Sequence, residues 1–174
     1  MTSTRTPRTI HTRGIFPART LHLVDIENLT GNALPCVATV MRTKKTYLDL
    51  LGLGDFDQVV IGCSHHAYVD VGVGWGRSAR YRVRSGPDGA DLELLDTLRT
   101  EHVVERFSTV VIASGDGIFA AVAAELAAAG MPVVVVSSRE ALSPRLALAA
   151  HRVVYIEPSE AVVTASQDSA EVAA

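Results

Sequence analysis

Three aspartates stand where a carboxylate is costly to keep without a partner. Asp25 interrupts the apolar run "LHLVDI" (21–26), and a buried unpaired charge is strongly disfavoured. Asp116 follows the apolar run "STVVIAS" (108–114) and sits between Gly115 and Gly117, two residues that let a backbone approach a bound group closely. Asp91 lies in "SGPDGADLELLDTL", with Leu94, Leu95 and Leu98 three, four and seven places on. At helical pitch that puts Asp91 on the apolar face, in the first turn. Carboxylates brought to one place repel unless a cation neutralises them. An all-oxygen donor set suits Mg2+ or Mn2+, ions that lower the pKa of water and stabilise charge in phosphoryl chemistry. Taken singly, each acid also has a plainer use: Asp116 and Asp91 as helix caps, Asp25 as the partner of a buried base. A shared position in the fold is what favours the metal site over those uses.

The elements that must position these residues are legible as patterns. Five β-branched runs, 21–26, 58–64, 108–114, 132–138 and 152–157, are apolar nearly throughout, as in parallel strands buried on both faces. A sixth, "ARYRVRS" (79–85), alternates arginine with Tyr81 and Val83 and reads as an edge strand. Helical patterns fill the gaps after the first strand and before the last three. Residues 66–78 fit a fifth pattern weakened by three glycines. Ser143 reads as an N-cap before Pro144, and Gly130 as the end of an alanine-rich helix beginning at Gly117. Strands alternating with helices predict a three-layer α/β/α sandwich around a mainly parallel sheet. Ligands in such sheets bind at the carboxyl ends of the strands. Asp25 and Asp116 are expected at that edge, and Asp91 at a helix start beside it.

The stretch 71–87 holds one further pattern: no acid and four arginines, Arg77, Arg80, Arg82 and Arg84. Alternation puts Arg80, Arg82 and Arg84 on one strand face, which leads through "SGPDG" to Asp91. Arginines beside a carboxylate cluster suit a phosphodiester: they hold the backbone while a cation acts at one phosphate. Charged protection of an edge strand explains the same residues without a ligand. His65 and His66 follow the second strand; with no Cys or His at metal spacing except Cys63, zinc is disfavoured and contact with substrate or a helix cap is favoured. Trp75 and Tyr68 are read first as packing.

Bulk properties narrow the class. The chain has 174 residues, 48% hydrophobic and 20% charged, enough for one domain with a real core. No apolar run approaches the ~20 residues of a membrane span, and no secretory signal core is present, so no membrane association is expected. Cys36 and Cys63 form no metal-binding pair and fit a reducing compartment, so a cytoplasmic location is expected. The net charge of −3 hides an asymmetry: residues 1–20 carry Arg5, Arg8, Arg13 and Arg19 and no acid, while Glu157, Glu160, Asp168 and Glu171 stand in a tail without Lys or Arg. The chain therefore divides into a basic arm (1–19), one domain (20–157) and an acidic tail (158–174). Homodimerisation is left open. No organic cofactor is expected: a Walker Lys-Ser/Thr loop is lacking, "GVGWG" is not the dinucleotide fingerprint, and "DIEN" lacks the second acid of aspartyl-phosphate phosphatases.

Over roughly residues 20–157 the chain resembles the NYN domain family, a branch of the PIN-like ribonucleases. "LVDIENL" is similar to that family's opening strand, "GADLELLDTL" to its central helix start, and "VVIASGDGIFAAVAAELAAAGMPVVVV" to its strand, Ser-Gly-Asp turn, helix and next strand. The resemblance implies a PIN-like sheet ordered about 3-2-1-4-5. It implies Mg2+- or Mn2+-dependent RNA cleavage with Asp25, Asp91 and Asp116 as ligands, Asn28 positioning substrate, and Ser114 shaping the turn beside a phosphate. One departure matters. The family usually places another acid two residues after the Ser-Gly-Asp aspartate, and here that residue is Ile118. With one carboxylate fewer, metal affinity falls and a second ion is harder to hold. Glu27 is the better substitute; Asp96 lies about 140° round the helix from Asp91 and is poorly placed. The expected function is a metal-dependent endoribonuclease, and the alternative is a weak or inactive PIN-like module that binds RNA.

Overall fold

A computed structural model describes residues 18–157. The acidic tail and all but the last two residues of the basic arm lie outside that range. Six strands form one sheet: β1 (Thr20–Asp25), β2 (Gln58–Cys63), β3 (Arg80–Val83), β4 (Thr109–Ala113), β5 (Val133–Ser137) and β6 (Arg152–Tyr155). Their order is β3-β2-β1-β4-β5-β6, and every pairing is parallel. The expected order is thus extended by β6, and the sheet is wholly rather than mainly parallel. The arginine-bearing strand is an edge, as its alternation predicts.

Among the described residues, seven helices cover the sheet: α1 (Ile26–Thr30), α2 (Val37–Leu51), α3 (Tyr68–Trp75), α4 (Gly89–Thr100), α5 (Val103–Arg106), α6 (Ala120–Ala128) and α7 (Pro144–Ala149). Strand parity sorts them into two layers. Leu21, Leu23, Val110, Ile112, Val133 and Val135 face one core with α4, α6 and α7. Val24, Val111, Ala113, Val134 and Val136 face the other, with α2 and α3. This is the three-layer sandwich, with the four central strands, β2, β1, β4 and β5, buried on both faces. Among the described residues no helix is long and apolar enough to cross a membrane.

Parity also aims the site. Residues 21 and 23 of β1 point toward α4, so Asp25 points there too. On β4, residues 110 and 112 share that side, so Ser114, one step past the strand, joins it. Val24 pairs with Ala113 in register, which sets Asp25 beside Ser114. On β2 the matching position is Gly62, where a Cβ would come within 2.8 Å of Leu94 and 3.0 Å of the Ala90 carbonyl. The bare backbone there lets the first turn of α4 lie directly on the sheet, which carries Asp91 to the end of β1.

Local details depart from expectation at helix starts. The alanine-rich helix begins with a 3-10 turn over Gly117–Phe119, and α6 proper starts at Ala120. Ser143 holds the N-cap position of α7, yet its side chain makes no capping bond. Its backbone amide instead donates to the Gly115 carbonyl at 2.8 Å. A buried polar link lies at the opposite end of β1: the His22 Nδ1 is 2.7 Å from the Tyr47 hydroxyl, and its Nε2 is 3.5 Å from Asp57.

Candidate functional site

Asp25 is held from two sides. The Ser114 hydroxyl donates to its Oδ2 at 2.9 Å, and the Asn28 amide donates to its Oδ1 at 3.1 Å, which caps α1. The Asn28 carboxamide oxygen in turn accepts from the Gly115 amide at 2.8 Å. The loop after β1 is thereby bolted to the loop after β4. Asn28, expected to position substrate, and Ser114, expected to shape the turn, here contact Asp25 and the Gly115 backbone.

Asp91 closes on Asp25 from above, close enough for the two carboxyls to hydrogen-bond to each other. The Asp91 Oδ1 is shut off from solvent and finds no hydrogen-bond donor. Burial raises Asp25 above the ordinary carboxylate value, against the lowering effect of the Asn28 amide and Ser114 hydroxyl. Asp91 is pushed up to about 8, first by burial, then by the charge and hydrogen bond of Asp25, with smaller pushes from Asp116 and Asp88. Two adjoining carboxylates in a poorly solvated place cannot both ionise unaided, so they share a proton or a cation.

A cleft of about 260 Å³ opens over this pair, and Asp116, Glu27, Asp88 and Arg84 also line it. Asp116 is exposed there. Its Oδ1 accepts from the Ile118 amide at 2.9 Å, so the cap use is met at the same time. The Glu27 Oε1 accepts from the Ser64 amide at 2.7 Å, which ties the loop after β1 to the end of β2. Ile118 itself packs against the α6–α7 core rather than facing the acids. The glycines beside Asp116 serve packing. A Cβ on Gly115 would lie 2.4 Å from the Ala141 carbonyl, and one on Gly117 would lie 2.9 Å from the Ser143 hydroxyl. Both make room for the loop after β5.

Asp88 was not singled out by sequence, because "GPDG" reads as a turn. It holds a left-handed backbone with φ 52°, and its side chain caps nothing. The signal available was a second acid three places before Asp91.

The basic residues separate. Arg84 lines the cleft, with Glu93 at 3.8 Å. Arg80 and Arg82 point the same way, but both bond Glu101, at 2.7 and 2.9 Å. Arg77 precedes β3 and so lies at the far, amino edge of the sheet. His65 bonds the Ser85 hydroxyl at 3.1 Å and links the loops after β2 and β3. Trp75 is buried, and Tyr68 packs edge-on against Tyr81.

No protein-family model matches this chain, and no curated protein matches it. Among solved structures, it is similar to the crystal structure of a protein of unknown function from Vibrio parahaemolyticus. The two are 17% identical with a TM-score of 0.54, over 80% of this chain and 93% of that one. At that identity the likeness is one of fold.

The donor set fits a hard cation in one respect above others: Asp91 offers a shielded oxygen that no protein donor meets. Among the described residues, no three such side chains are already closed around one point. Oxygens of Asp25, Glu27 and Asp116 accept from protein amides and a hydroxyl.

Proposed function

We propose that the protein is a PIN-like ribonuclease of the NYN type, dependent on Mg2+ or Mn2+ and working in the cytoplasm. The observation that carries the reading is the Asp25–Asp91 contact with its unmet Oδ1, set in a cleft shared with Asp116 and Arg84. Asp25, Asp91 and Asp116 would hold the ion, with Glu27 or Asp88 in the place left by Ile118. The ion would supply charge neutralisation at the phosphate and a lowered pKa for water. The chain's own groups orient and bind. Ser114 and the Asn28 amide hold the Asp25 carboxylate in one rotation, and Arg84 meets a phosphate oxygen at the cleft mouth. Both cysteines are free thiols, which supports a reducing compartment.

A second reading is a module that binds RNA without cutting it, favoured by Ile118, partly buried against the core, standing where a further acid is expected. Cleavage of labelled RNA in Mn2+ separates the two. Wild type should cut, while Asp25→Asn and Asp91→Asn should lose about a hundredfold or more. Equal activity in all three would reject the ribonuclease reading. RNA retention without cleavage, indifferent to chelator, would establish the second.

A further inference from the structure

One charged surface extends well past the cleft. Glu101, just after α4, accepts from Arg80 at 2.7 and 2.9 Å, from Arg82 at 2.9 Å and from Arg106 at 3.3 Å. Three guanidinium groups thus share one carboxylate. Arg106 continues the line, for its head lies 5.2 Å from the centre of the Phe107 ring. Arg19 lies over the same ring at 5.1 Å. At the other end, Arg84 follows Arg82 on the same strand face and opens into the cleft. Arg82, Arg80 and Arg106 are linked through Glu101, and Arg106 to Arg19 through Phe107, while Arg84 shares only the strand face; together the five run from the carboxyl edge of the sheet to its amino edge.

Plain structural roles account for part of it: Arg19 Nε donates to the Phe56 carbonyl at 3.2 Å, and Arg106 Nη1 to the Glu101 carbonyl at 3.0 Å. Charge on an edge strand guards against aggregation, but Arg106 and Arg19 lie on no edge strand. One guanidinium neutralises a carboxylate, yet Glu101 meets three. Two carboxylates, Glu101 and Glu93, contact these five cations, so the belt keeps a net positive charge inside a chain whose total is −3. The Arg82 Nε is buried and bonded to nothing. The sequence leading up to Arg19 adds Arg13, Arg8 and Arg5 with no acid. Guanidinium planes laid on an aromatic ring also suit stacking with bases.

We infer that this arginine belt is a track for single-stranded RNA, running from the acidic cleft around the β3 side to the start of β1. The inference rests on the ribonuclease reading for its ligand, and it adds the path by which the strand leaves the cleft. It makes Arg106 and Arg19 binding residues and Glu101 the residue that positions Arg80, Arg82 and Arg106.

The test uses the full chain in EDTA, with fluorescein-labelled oligouridylates and anisotropy between about 50 and 200 mM salt. A dodecanucleotide should bind at least about tenfold tighter than a tetranucleotide, because only the longer strand reaches the belt. The double variant R19Q/R106Q should weaken dodecanucleotide binding about tenfold and flatten the log–log salt slope by about 1.4, two phosphate contacts at ~0.7 each. Tetranucleotide binding should not change, and R19K/R106K should restore most of the loss. Arg19→Gln alone, which leaves Glu101 untouched, should give about half the change in slope and serves if the double variant does not fold. An unchanged slope in the glutamine variants, or equal affinity for both lengths, would overturn the track. So would binding to phosphatidylserine vesicles in place of RNA. Metal-dependent cleavage of the tetranucleotide reports separately on the cleft. Its absence alongside a responsive slope leaves the track standing, while its presence alongside an inert slope removes the track alone.

Discussion

The Ser114 hydroxyl donates to Asp25 at 2.9 Å across 89 residues of sequence, and strand parity on β1 and β4 aims both side chains to the same side. The bond fixes which oxygens of Asp25 are left for a ligand. Ser114→Ala should therefore weaken Mn2+ binding about ten- to a hundredfold, as removal of groups behind a ligand does. It should also lower stability by about 1–3 kcal/mol, because a buried charged acceptor loses its donor. Calorimetric titration with Mn2+ and urea unfolding in EDTA read the two effects. Unchanged Mn2+ affinity would separate Ser114 from the metal site.

Asp91 gives the metal-free protein an alkaline weakness. Its folded pKa is pushed up to about 8, while the unfolded chain titrates near the ordinary aspartate value. The folded state then holds the proton more tightly. The corresponding stability is complete below about pH 4 and is lost as pH rises through 8. Asp91→Asn should remove that loss and stabilise the EDTA-treated protein at pH 8 by about 1–2 kcal/mol, allowing for partial solvent exposure. Mn2+ should reverse the order, because the wild type alone gains from it. A stability curve flat from pH 6.5 to 8 in EDTA would refute this account.

His22 acts on the acid side. Burial lowers its pKa, with Asp57 partly opposing, so the folded state resists a proton that the unfolded chain accepts below about 6.5. Its contribution is full above that value and declines as pH falls. His22→Gln keeps a polar partner for Tyr47 without titrating. It should flatten unfolding free energy between pH 6.5 and 5. A slope equal to wild type would place the acid sensitivity elsewhere.

Gly62 sets the height of α4. Gly62→Ala would press a methyl to 2.8 Å from Leu94 and 3.0 Å from the Ala90 carbonyl. The expected cost is about 1–3 kcal/mol, with a drop in Mn2+ affinity as the first turn of α4 lifts. The Leu94→Ala double variant should recover affinity in part, although it adds a cavity cost of its own. Full Mn2+ affinity in Gly62→Ala would show that the fit of α4 does not govern the site.

Much of this could be read from the sequence, for definable reasons. Near-continuous apolar runs announced a parallel sheet, and an acid ending such a run was conspicuous because burial penalises it. Asp91 was legible through the leucines that share its helix face. What escaped were contacts made across the chain. Asp88 hid in a turn motif whose residues have a sufficient local use. The purpose of Gly115 depends on Ala141, which no local pattern reveals. The alternation of Arg80 and Arg82 was visible, but Glu101, 19 to 21 residues on, is what gathers them. Arg19 was legible only as part of the basic arm, and nothing local linked it to Arg106, which meets the same Phe107 ring.

The central place of β1 has a consequence for biosynthesis. Its two neighbours are β2, which follows soon after, and β4, which comes after two more crossovers. A nascent chain that has emerged only through β3 already displays Asp25, but it lacks the Ser114 hydroxyl and the Gly115 amide that orient the loop. Pairing so distant in sequence forms late. The acids therefore assemble near the end of folding, and a half-made domain has no organised acidic cleft.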